Sequence, residues 1–130
     1  MLNYTKAFSG FSVDDLEKAR LFYAKTLGLT ITNNPMGLLE LHTKGNAPII
    51  IYPKPNHEPA SFTVLNFTVE NIEKTVDELI SNGVIFEQYS EPIKTDKKGI
   101  LRGERGPSIA WFKDPSGNIL SIIEGKETNE

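Results

Sequence analysis

The stretch FSVDDLEKA, Phe11–Ala19, returns 56 residues later as FTVENIEKT, Phe67–Thr75. Four of the nine positions are identical, and the others exchange residues of similar type. Beyond both strings the apolar residues keep a helical spacing: Leu16, Ala19, Phe22, Tyr23 and Leu27 in the first copy, Ile72, Val76, Leu79 and Ile80 in the second. Asp15 and Asn71 suit N-caps, because a short polar side chain there accepts an orphan N–H of the first turn. Glu17 and Glu73 sit where the helix dipole favours a carboxylate. Gly28 and Gly83 suit helix ends that close in a left-handed conformation. The second helix is one residue shorter than the first.

Past each glycine the two halves are again alike. LTITN (29–33), GLLELHT (37–43) and APIIIYP (47–53) read as three short strands separated by turn signals. In the second half VIFEQYS (84–90) reads as a strand, followed by a long polar loop to about Gly106. SIAWFKD (108–114) and NILSIIE (118–124) read as a hairpin joined at DPSGN. The order is βαβββ twice, with modules at 4–53 and 62–125 and a proline-rich linker at 54–61, all within one domain of 1–130. Each four-stranded sheet has one face for its helix and must bury the other. The expected architecture is therefore α+β, two βαβββ modules curved into an eight-stranded pseudo-barrel with a binding cavity.

Composition sets the outer limits. Of 130 residues, 38% are hydrophobic and 24% charged, an ordinary balance for one globular domain. A formal charge of −3 lacks the basic footprint of a nucleic-acid binder. No apolar run approaches the roughly 20 residues of a membrane span. With no cysteine, disulfides and thiolate chemistry are excluded, and a cytoplasmic setting is the default expectation.

The FSVDDLEKARLFYAKTLGLTI opening and the IAWFKDPSGNILSIIE closing hairpin resemble the vicinal oxygen chelate superfamily. This group includes glyoxalase I, bleomycin resistance proteins, extradiol dioxygenases, fosfomycin resistance proteins and methylmalonyl-CoA epimerase. The resemblance runs from about Lys6 to Glu124 and implies the glyoxalase/bleomycin resistance/dihydroxybiphenyl dioxygenase fold. It also implies a homodimer, in which modules of two chains often build each cavity. Enzymes of this group hold one divalent ion with ligands from the first and last strands of each module. Carried onto this sequence, the first-strand positions, five before Val13 and Val69, are Phe8 and Val64. The last-strand positions are Ser121 and, within Ile49–Ile51, Ile51. None of the four is a good divalent-metal ligand.

Other chemistry-bearing residues are sparse. Trp111 and Phe112 alternate on a strand, so one faces the cavity and the other a helix. Asn66, taken to share a strand face with Val64, joins Ser121 as a polar anchor. Phe8, Ile51, Val64 and Trp111 make the expected cavity apolar. Arg102 and Arg105, in the Lys94–Gly106 loop, are placed to cover its mouth. His57 falls in the linker and is expected to be exposed. No Ser–His–Asp arrangement is evident. Glu40 and His42 lie two apart on one strand, so they share a face and form the one alternative metal pair.

These residues support two functional expectations. The first is a small-molecule binder similar to the bleomycin resistance branch, needing neither metal nor other cofactor and having no nucleic-acid or membrane partner. The alternative is a glyoxalase- or dioxygenase-type metalloenzyme, a lyase, isomerase or oxygenase, with ligands relocated to Glu40 and His42.

Overall fold

The computed structural model describes residues 1–103 and 106–125. The chain divides into two compact units, Met1–Pro59 and Ala60–Glu130. Each unit carries a mixed four-stranded sheet and a helical segment, as the repeat requires.

In the first unit, β1 (Gly10–Val13) leads into α1 (Leu16–Leu21), followed by β2 (Thr30–Asn33), β3 (Leu39–His42) and β4 (Ile49–Pro53). The sheet order is β1-β4-β3-β2, with β1 parallel to β4 and the other pairs antiparallel. Asp15 caps α1 by accepting the Lys18 N–H at 3.0 Å. The α-helix stops at Leu21, and Phe22–Thr26 forms a π-helical turn in which the Leu27 N–H reaches the Phe22 carbonyl at 2.9 Å. A π turn holds one more residue than an α turn. That extra residue accounts for the length difference between the copies, since the caps are 56 apart and the closing glycines 55. Tyr23, in this turn, is fully buried and packs edge-on against Phe22 and tilted against Phe11.

In the second unit, β5 (Thr63–Val69) leads into α2 (Ile72–Ser81), and then come β6 (Ile100–Leu101), β7 (Ile109–Lys113) and β8 (Ile119–Glu124). The order β5-β8-β7-β6 repeats that of the first sheet, with β5 parallel to β8. Asn71 caps α2 through the Lys74 N–H at 3.1 Å, and Gly28 and Gly83 close their helices at φ 71° and 95°. Ile72 and Val76 bury one face of α2, each contributing roughly 2 kcal/mol of apolar burial. The Glu124 carboxylate accepts the Ile72 N–H at 3.0 Å, tying the last strand to the start of α2.

One expected strand is not there. Val84–Ser90 forms no regular strand; Phe86 makes an isolated bridge to Phe112, and the Glu87 N–H donates to the Trp111 carbonyl at 2.8 Å. The fourth strand is instead Ile100–Leu101, inside the segment expected to be loop. Both pieces use the same edge of β7, Phe86 and Glu87 along Trp111–Phe112 and β6 along Ile109–Ala110. Asp96 builds the turn between them. Its carboxylate accepts the Lys98 and Ile100 N–H groups, both at 2.9 Å, and Arg102 Nε at 3.1 Å. Gly99 has φ +83°, and a Cβ there would stand 2.8 Å from that of Phe86, so no other residue fits without a shift.

Burial pushes the Asp96 carboxyl up, but the Ile100 and Lys98 N–H groups and Arg102 outweigh it and leave it below its ordinary 3.8. A depressed carboxyl adds stability that is present above the unfolded value and lost as pH falls through the folded one. Melting temperature is therefore expected to drop with acidification below about pH 4, and Asp96→Asn to flatten that part of the profile.

The DPSGN turn forms as expected. Asp114 Oδ1 accepts the Ser116 and Asn118 N–H groups at 2.9 Å each, and Oδ2 accepts Asn118 Nδ2 at 3.0 Å. Both side chains are buried, so removing the acceptor strands three donors away from water. Asp114→Ala is expected to cost about 3 kcal/mol, read as a lower urea midpoint at unchanged slope.

Candidate functional site

The strand registers decide which residues share a face. In the second unit, Glu124 meets α2, so Leu120, Ile122 and their partners Phe112 and Ala110 face the helix as well. All four are buried. The opposite, helix-free face carries Asn66, Ser121 and Trp111, which pair directly across β5, β8 and β7. Ser121 is fully buried, and its hydroxyl donates a short hydrogen bond to Asn66 Oδ1. Trp111 is half-buried and meets Tyr89 at a centroid distance of 5.5 Å. Glu87 and Lys113 pair beside it, Nζ to Oε1 at 3.2 Å. Burial is the main cause that raises the Tyr89 hydroxyl above its ordinary range, with Glu87 adding to it and Lys113 opposing it. Tyr89 therefore stays a neutral phenol at physiological pH.

The first unit has the same rows with different contents. Phe11 touches Tyr23 and pairs with Ile51, and Ile51 pairs with Leu39, so these residues face the helical segment. Gly10, Ile50, Glu40 and Thr32 form the helix-free row. The counterpart of Asn66 is thus Gly10, where a Cβ would come within 3.0 Å of the Ile50 carbonyl oxygen. The counterpart of Trp111 is Glu40.

Four expectations are corrected. Ile51 is fully buried on the helix side, and the residue in register with Ser121 is Ile50. Phe8 precedes β1 and is 62% exposed. The β5–β8 register shifts between Thr63 and Leu65, so Val64 sits in a bulge and simple alternation does not link it to Asn66. Arg102 is held by Glu73 of α2 and by Asp96, on the helix side of the sheet. Arg105 lies outside the described residues.

The two histidines are both engaged. Glu40 and His42 share a face, with carboxylate and imidazole 4.0 Å apart. Asn34 Nδ2 donates to Glu40 at 2.8 Å, and Thr32 Oγ1 meets His42 Nε2 at 2.7 Å. Leu39 and Leu41 are buried on the other side of that strand. His57 is half-buried rather than exposed, its Nδ1 2.6 Å from Ser12 Oγ, a contact that fastens the linker to β1. Nothing in its proline-rich surroundings signals this pairing, which depends on the return of the chain past β1.

The divalent ion implied by the resemblance does not fit this donor set. Phe8, Ile50 or Ile51, and Val64 offer no ligating atom, and Ser121 commits its hydroxyl to Asn66. Among the described residues no group of three or more His, Asp and Glu side chains is placed to hold a metal. No described helix is long and apolar enough to cross a membrane. A recess of about 410 Å³ is lined by Leu2, Asn3, Tyr4 and Thr5 and includes none of the candidate residues.

Comparison with known proteins agrees with this architecture. The uncharacterized protein YraH of Bacillus subtilis (strain 168) is 28% identical over 126 residues, covering 86% of this chain and 91% of that protein. A superfamily member from Sphaerobacter thermophilus DSM 20745 superposes with a TM-score of 0.70 at 22% identity, over 95% of this chain and 98% of the other. TnmS3, an antibiotic binding protein from Streptomyces sp. CB03234, gives 0.69 at 20% identity, over 97% and 99%. The model of the Glyoxalase/Bleomycin resistance protein/Dioxygenase superfamily matches residues 4–122, and with that match and the duplicated fold the chain belongs to this superfamily.

Proposed function

We propose that this chain binds a small organic molecule on the helix-free face of its second sheet and does so without the superfamily's divalent metal. The observation that carries the reading is the Asn66–Ser121–Trp111 row. A buried hydroxyl and an amide stand beside a half-buried aromatic ring, paired across three neighbouring strands. Such a combination of apolar surface with few, placed polar groups characterises small-molecule sites. The likeness to TnmS3, named an antibiotic binding protein, supports the same class of function. By analogy with the superfamily the protein acts as a homodimer, and its lack of cysteine suits a reducing cytoplasm.

A second reading rests on the Glu40–His42 pair, which shares one strand face and could supply two ligands of a relocated metal site. Two measurements on the purified protein separate the readings. Metal analysis is expected to find no stoichiometric divalent ion. A ligand thermal-shift screen is expected to find organic compounds that raise the melting temperature; at 100-fold excess over Kd the gain is about 2.7 kcal/mol. Trp111→Ala is expected to abolish that shift. Stoichiometric nickel, zinc, manganese or iron that disappears in His42→Ala would establish the second reading instead.

A further inference from the structure

The row also constrains the chemistry of the ligand, an inference that rests on the binding reading above. Three features of the helix-free face bear on it. The first is direction. Asn66 Oδ1 is occupied by the Ser121 hydroxyl, so the side chain offers its Nδ2 donors outward. With one lone pair of its oxygen already taken, the amide still carries two N–H donors, which recognise an acceptor such as a carbonyl or ring nitrogen. The second is spacing. Asn66 and Trp111 stand on strands separated by β8, two strand spacings or about 10 Å apart. This suits a fused ring system that stacks at one end and accepts a hydrogen bond towards the other. The third is charge. The ionised side chains beside Trp111, Glu87 and Lys113, pair with each other, and Tyr89 is a neutral phenol. Those two charges offset each other, so neither supplies an unpaired ion that would select an anionic or cationic ligand over a neutral one.

We infer that the ligand is a neutral, planar, fused aromatic molecule bearing a hydrogen-bond acceptor, stacked against Trp111 with the acceptor on the Asn66 amide. Aromatic stacking supplies affinity and the amide supplies orientation.

The chain has one tryptophan, so its emission reports on this face directly. The probes are 9-fluorenone and fluorene, which share a ring system and differ in the carbonyl. Both are expected to quench Trp111 saturably, with fluorenone binding about fivefold more tightly, the worth of one net hydrogen bond. Asn66→Ala is expected to remove the preference, and Asn66→Asp, of nearly identical shape but without the donor, to remove or reverse it. Equal binding of the two probes to the native chain, or a preference that persists in both variants, would overturn the acceptor assignment and leave the binding reading standing. No saturable response to either probe would overturn the aromatic class, while the metal analysis and thermal-shift screen decide the binding reading separately.

Discussion

Everything in each unit depends on the parallel pairing of its first and last strands. β1 lies on β4 and β5 on β8, although a helix and two strands intervene in sequence. Parallel neighbours cannot be joined by a tight turn, so the chain must leave the sheet and return. Here it leaves through a capped helix that covers one face and returns through the antiparallel strands. Once that pair is set, the pleat decides every other position. Residues in the phase of Ile122 meet the helix, and residues in the phase of Ser121 face away from it. Slipping β8 by one residue would exchange Ser121 for an isoleucine or a leucine and dismantle the polar row.

The two copies keep this geometry and diverge in chemistry. Where the second unit reads Asn66, Ser121 and Trp111, the first reads Gly10, Ile50 and Glu40. The first row has no side chain at Gly10, so it cannot build the amide–hydroxyl pair. It has instead a carboxylate held by Asn34 and an imidazole held by Thr32. Duplication thus provided two equivalent faces, and the substitutions concentrated the aromatic and amide groups on one of them. The extra residue of the first helix was absorbed in a π turn, without disturbing the cap at Asp15 or the glycine at Gly28.

Much of this fold is legible in the residues alone, because its signals are local. The Asp15 and Asn71 caps, the closing glycines and the DPSGN turn each depend on a few neighbouring atoms. The misread positions depend on partners far along the chain. The Ile49–Ile51 run carries no alternation, so its phase becomes visible only through pairing with β1 and β3. A bulge at Val64 adds a residue that no periodicity marks. Val84–Ser90 has the composition of a strand, yet it shares the β7 edge with Ile100–Leu101 and obtains only a bridge. Arg102 reads as free to face a ligand because Glu73, its partner, is 29 residues away. The Ser12–His57 contact spans 45 residues and has no sequence signal at all.

In the proposed function, one row of one sheet, Asn66–Ser121–Trp111, meets the ligand. The most direct test is a ¹⁵N NMR titration with the strongest compound from the thermal-shift screen. The Trp111 indole N–H and the Asn66 side-chain amide are expected to shift together and to saturate at the same concentration. Shifts confined to the strand bearing Glu40 and His42, with Trp111 and Asn66 unmoved, would contradict the account.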